Sequence, residues 1–138
     1  MGTDRSRLAK RRAVVVSMAL LIALAHIVDI RSRLQGVWFN LYPSYFSDVV
    51  LPFAFYFLLV QVEGPKGPLL RHWAAKAAVA FVTPALAETC QGFGIPVLGA
   101  TFDPLDYLMY ALGAGLAALV DVQVFSRMFS FWRWEGSD

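Results

Sequence analysis

Sixteen consecutive residues, Ala13 to Val28, carry no charge, and three further apolar runs follow along the chain. A bilayer core of about 30 Å is crossed by about 20 predominantly apolar residues in a helix. In a chain of 138 residues, 58% are hydrophobic and 16% charged, against about 45–50% and about 25% in a soluble domain. A soluble domain of this size has too little interior to hide so much apolar surface. Disorder and a coiled coil are excluded on the same grounds. The expectation is one all-α domain, a polytopic membrane protein built as a four-transmembrane-helix bundle.

The first run lies between Arg12 and Asp29. Its basic start followed by an apolar stretch is shared with signal peptides, but no small-residue cleavage site follows, so a retained anchor helix over about 13–30 is expected. The second run ends at Glu63 and is completed by the aromatic residues from Tyr42 to Phe46 at the headgroup level, giving a span over about 45–62. Gly64-Pro65-Lys66-Gly67-Pro68 breaks any helix. A third span is expected over 73–95 and a fourth over 104–125, opened by Asp103-Pro104 with proline at a favoured first position. Residues 126–138 read as an interfacial tail, with Phe125, Phe129 and Trp132 at helical spacing beside arginines.

Charge orients these spans. With the N-terminus inside, ten of the twelve Lys and Arg fall in inner segments and only Arg31 and Arg33 fall outside. The positive-inside rule then places both termini in the cytoplasm of a multi-pass inner (plasma) membrane protein. The basic N-terminus is a topogenic signal that meets anionic membrane lipids, and no nucleic-acid partner is expected.

Ionisable residues within a span cost about 2.5–3.5 kcal/mol at the helix centre, so each needs a reason. Glu88 and Gln91 lie three apart on one face of the third span, with Pro84 one turn earlier, where it is expected to kink the helix toward a cavity. On the fourth span Asp103, Asp106, Tyr110, Gly113 and Ala117 form one polar-to-small stripe, with Tyr107 beside it. The first span brings His26 to the same outer end. Glu88, Gln91, Asp106, Tyr107, Tyr110 and His26 are therefore the candidate ligand-binding residues. An interhelical hydrogen-bond cluster would use the same residues to hold the bundle together. Only His26 adds nitrogen to the carboxylates, so neither a metal site nor a cofactor is expected. Cys90 is the single cysteine, which excludes an intrachain disulfide.

Residues 87–121, AETCQGFGIPVLGATFDPLDYLMYALGAGLAALVD, resemble the VanZ-like family of small bacterial membrane proteins. The resemblance rests on Glu88 and Gln91 near one helix end, a short turn, Asp106 opening the last helix, and Tyr110 and Gly113 one and two turns on. Ala100 stands where that family usually has arginine, and Tyr110 where asparagine is usual. The resemblance implies a location in the bacterial inner membrane and a role at the cell envelope. On that basis an outward polar pocket is expected to bind a lipid-linked or peptidoglycan-related group. The alternative is a small accessory subunit packed against a larger membrane protein complex, suggested by the small-residue faces and the aromatic tail. An intramembrane enzyme using Glu88 or Asp106 as general acid or base near His26 is also compatible, although nothing in the spacing demands it.

Overall fold

In a computed structural model, the residues described are 2–27, 37–62, 68–95, 97 and 102–132. Among them the chain is all-helical, with four long helices and no strand. These are α1 (Gly2–Ile27), α2 (Val37–Val62), α3 (Trp73–Gly92) and α4 (Pro104–Leu119). A 3₁₀ turn, Pro68–Arg71, precedes α3, and α4 runs on through a π-helical turn, Val120–Phe125, into a last helical turn, Ser126–Met128.

Local chemistry explains most of these boundaries. The first helix begins at Gly2 rather than near residue 13, because the basic stretch is rich in Arg, Lys, Leu and Ala, all strong helix formers. The second likewise begins at Val37, ahead of residue 45. At the start of α3, His72 Nδ1 accepts the Ala74 N–H at 3.3 Å. Its other end closes at Gly92 rather than at residue 95. There Gly94 adopts φ +78°, its N–H reaches the Gln91 carbonyl at 2.8 Å, and the Ile95 N–H reaches the Cys90 carbonyl at 2.9 Å. This paired return is the Schellman stop, which needs a left-handed residue that glycine supplies without strain. Asp103 caps α4, accepting the Leu105 N–H at 2.9 Å, and Pro104 occupies a position whose missing N–H costs nothing. Helix α3 continues through Pro84 without a break.

The helices alternate in direction. Residues from the N-terminal half of α1, the end of α2, the start of α3 and the far end of α4 meet at one end of the bundle. There Gln61 Nε2 donates to the Arg11 carbonyl at 3.5 Å, and Lys76 lies 3.3 Å from Asp121. At the opposite end the start of α2, the end of α3 and the start of α4 meet, with Tyr45 3.3 Å from Asp103 and Asp103 2.7 Å from Glu88. Helix α4 packs most extensively on α2 and then on α3, while α1 rests mainly on α2. The closeness of α2 and α4 depends on Gly113, where any Cβ would collide with the Val49 carbonyl and come within 2.7 Å of the Pro52 ring. Around this approach, Ala80, Ala114, Ala117 and Ala118 leave room for Tyr56, Phe57 and Val60, which are almost fully buried. Small residues at helix interfaces let backbones approach and large side chains interdigitate.

Two helical stretches, Tyr45–Val62 and Pro104–Met128, are long and apolar enough to cross a membrane. Of the other two long helices, α1 carries Lys10, Arg11 and Arg12 beside an apolar part described as far as Ile27, and α3 carries Lys76 and Glu88. The distribution of polarity is nonetheless unusual. Arg11, Lys76, Glu88 and Asp121 are buried, whereas Leu20, Leu21, Leu24, Leu58, Leu86, Leu108 and Leu112 face outward. Buried charge and a broadly exposed apolar surface are the informative departures from the ordinary rule.

The described part of the aromatic tail, as far as Trp132, packs onto the bundle. Phe125 and Trp132 fold back against Phe57 and meet each other edge to face at 4.7 Å, Phe129 packs on Phe125, and Trp132 is 3% exposed. The Trp132 indole N–H, whose partner lies in the bundle, draws the segment inward. Residues 133–138 lie outside the described residues.

Candidate functional site

The first candidate site lies at the end where α4 begins. Its central contact is between Glu88, in the last turns of α3, and the backbone of the α4 cap: Glu88 Oε1 accepts the Asp103 N–H at 2.7 Å. A helix N-terminus leaves N–H groups without intrahelical partners and carries a partial positive charge, so a carboxylate is well placed there. Glu88 is only 2% exposed, and this bond compensates part of its burial. Asp103 is in turn bound on both oxygens, by the Leu105 N–H at 2.9 Å and the Tyr45 hydroxyl at 3.3 Å. Helices α2, α3 and α4 are thus joined through two carboxylates.

Two more carboxylates complete this end. Asp48 lies one turn after Tyr45 on α2, and Asp106 lies in the first turn of α4; both are half-buried. Asp48, Glu88 and Asp103 are all close enough to Asp106 for their charges to act on it, and Glu88 and Asp103 act likewise on Asp48. Among the described residues, neither Asp48 nor Asp106 has a hydrogen-bond donor to its carboxyl. Tyrosines border the cluster. Tyr110 is buried beneath it, and Tyr107 packs its ring on Phe102 at 6.2 Å while its hydroxyl meets Thr89 Oγ1 at 2.8 Å. Thr89 also donates to the Ala85 carbonyl at 2.7 Å, which sets its rotamer.

The residues singled out in the sequence distribute as follows. Glu88, Asp106, Tyr107 and Tyr110 come to this one end. Gln91 is half-buried one turn beyond Glu88 on α3, and its carbonyl takes part in the helix stop. His26 lies near the end of α1, and its side chain falls outside the described residues, as do Asp29, Arg31 and Arg33. Asp48, Tyr45 and Thr89 join the site from outside the candidate set. The signal for Tyr45 and Asp48 was an acidic residue beside a tyrosine at helical spacing, just ahead of an apolar run.

A second polar cluster, which the spacing did not reveal, lies at the opposite end. Asp121, in the π-helical turn, accepts from Tyr56 Oη at 2.6 Å and from Trp132 Nε1 at 2.6 Å, and pairs with Lys76 Nζ at 3.3 Å. Every partner is buried. The Lys76 ammonium also sits 5.6 Å over the Tyr56 ring, and the Arg11 guanidinium 5.2 Å over the Trp132 ring. A single-turn π-bulge shifts one residue's direction within a helix, and here it holds Asp121, whose carboxylate meets Tyr56, Lys76 and Trp132. The cluster is charge-balanced and hydrogen-bonded on both carboxylate oxygens, as a structural pair must be.

The acidic end offers hydrogen-bond acceptors and negative charge. It can hold a cation or a group rich in N–H or O–H donors. Among the described residues no three His, Cys, Asp or Glu side chains are grouped to hold a metal ion. Cys90 is a half-buried free thiol near this end. No family model, curated protein or solved structure matches the chain.

Proposed function

We propose that this chain is a four-span protein of the bacterial inner membrane, of VanZ-like type, with both termini in the cytoplasm. Its acidic end then faces outward and binds a polar group of the cell envelope, a lipid-linked or peptidoglycan-related headgroup. Support for the membrane reading comes from the inverted polarity: charges buried and paired in the bundle, leucines outside. The described Lys and Arg of residues 5–12, Lys76 and Arg127 fall at or near the end where Asp121 is held, which supports its cytoplasmic placement.

The binding reading is carried by one observation. Asp48 and Asp106 sit half-buried beside two further carboxylates, with no donor to either group among the described residues. A fold that gathers like charges without compensating them stores an unfavourable interaction, and ligand donors would relieve it. Glu88 and Asp103 set the geometry of the pocket, and Tyr107 and Tyr110 form its walls.

Native mass spectrometry of the protein, extracted gently from its host membrane, tests this reading. The expected result is a retained envelope lipid or lipid-linked sugar that is lost in Asp106→Asn at equal expression. A protein partner retained in fixed stoichiometry, with no such small molecule, would instead make the chain an accessory subunit of a larger complex.

A further inference from the structure

The first helix is held to the bundle over a short stretch. Among its described residues only Arg11 and Val15 are buried, and Val14 and Met18 pack half-buried against the same core. Beyond Met18 no described residue of α1 is buried, and Leu20, Leu21 and Leu24 are more than half exposed. Helices α2, α3 and α4, by contrast, are tied to one another at both ends. Glu88, Asp103 and Tyr45 link them at one end, and Lys76, Tyr56 and Asp121 at the other.

The C-terminal tail bridges these two parts. Helical backbone ends at Met128, Phe129 is extended at φ −121° and ψ 108°, and the Trp132 N–H returns to the Phe129 carbonyl at 3.0 Å, so the chain turns back on the bundle. Trp132 then faces two ways. Its indole N–H donates to Asp121 at 2.6 Å, and its ring lies against Phe57 and Phe125, with centroids 6.5 and 4.7 Å away. The same ring carries the Arg11 guanidinium of α1 at 5.2 Å, and the Phe131 ring carries the Lys10 ammonium at 5.8 Å. The negative face of an aromatic ring attracts a cation, most strongly for tryptophan and where water is excluded. From α2, Gln61 adds a long hydrogen bond to the Arg11 carbonyl at 3.5 Å, well beyond the optimum. We infer that residues 129–132 are a strap that fastens α1 to a self-contained unit of α2, α3 and α4. Unseating Trp132 lets α1 swing away while the other three helices stay packed. This device is independent of what the acidic end binds.

The test measures distances by double electron–electron resonance on the full chain in mild detergent, with Cys90→Ser removing the single native cysteine. One spin-label pair, Leu21→Cys with Leu112→Cys, reports α1 against α4. Another, Leu58→Cys with Leu112→Cys, reports α2 against α4, and each labelled position is exposed. The parent protein is expected to give one narrow distance for each pair. Trp132→Ala is expected to lose the narrow α1–α4 distance and add a longer one, while the α2–α4 distance stays as in the parent. Arg11→Gln cuts the strap from the α1 side and leaves Trp132 on Asp121, and it repeats the test should Trp132→Ala fail to give a monodisperse protein. An unchanged α1–α4 distance in a folded strap variant overturns the inference. Joint broadening of both pairs also overturns it, because the tail would then be a packing element of the whole bundle. A broad α1–α4 distribution already present in the parent does the same, since α1 would be loose with its strap in place.

Discussion

The two ends of the bundle solve the problem of buried charge in opposite ways. At one end a single carboxylate, Asp121, is met by an ammonium, a phenol and an indole, all within 3.3 Å. At the other, four carboxylates from three helices share a region where the donors among described residues are two backbone N–H groups and one tyrosine, all directed at Glu88 and Asp103. Balanced charge with full hydrogen bonding is what a packing device requires. Gathered like charge with open acceptors adds nothing to packing. The contrast makes the first end architecture and is what the ligand chemistry proposed for the second end rests on.

The largest effect expected from breaking this contrast is at Asp121. Asp121→Ala removes the carboxylate 3.3 Å from the buried Lys76 ammonium, and breaking such a pair costs about 3–5 kcal/mol. Thermal unfolding in mild detergent should show the loss, and the double variant Asp121→Ala with Lys76→Met should recover much of it. If the single variant melts with the wild type, the paired end is not what holds the bundle. Trp132→Phe comes next. It keeps the ring contacts with Phe57 and Phe125 and removes only the N–H to Asp121, a hydrogen bond to a charged group worth about 1.5–3 kcal/mol. The same melting assay checks it, and an unchanged midpoint would return the tail to a surface role.

Between the ends, Gly113→Ala probes the close approach that sets their registry. The added methyl meets the Val49 backbone and the Pro52 ring, and overpacking of this kind costs about 1–3 kcal/mol. A variant that melts with the wild type would show that α2 and α4 can separate without consequence.

How much of this was legible in the sequence differs between the ends for a physical reason. Glu88, Asp106, Tyr107 and Tyr110 lie on two helices consecutive in the chain, so spacing along α3 and α4 suffices to bring them to one end. Asp103 was readable as a cap because Pro104 follows it. Lys76 and Asp121 lie 45 residues apart in two helices, and their pairing depends on rotation and depth that spacing does not fix. The π-helical turn that orients Asp121 has no signature in residue type. One cation and one anion in separate apolar runs was the available clue. Trp132 was hidden differently: an aromatic residue beside arginines suits a membrane interface equally well, and only its indole partner decides the matter. The apolar count gives the stretch 45–62 that is long and apolar enough to cross a membrane, while α2 itself starts earlier, at Val37, because a helix continues as long as its residues favour it.

The smallest expected effects lie at the acidic end, and they decide what that end is for. Asp48→Asn and Asp106→Asn remove charge from groups without hydrogen-bond donors among the described residues, so no partner there is lost. Their melting midpoints should stay within about 0.5 kcal/mol of the wild type or rise as like-charge repulsion is relieved. Glu88→Gln keeps an oxygen to accept the Asp103 N–H and loses only the charge on that bond, which limits its cost to about 1 kcal/mol. Each variant should nonetheless reduce retention of the envelope headgroup proposed for that end. Stability preserved with binding lost is the pattern of a site, because the groups that hold the helices together and the groups that meet the ligand are then separate. If Asp48→Asn or Asp106→Asn instead melts the protein as Asp121→Ala does, the acidic end is a second packing device and the contrast between the two ends disappears.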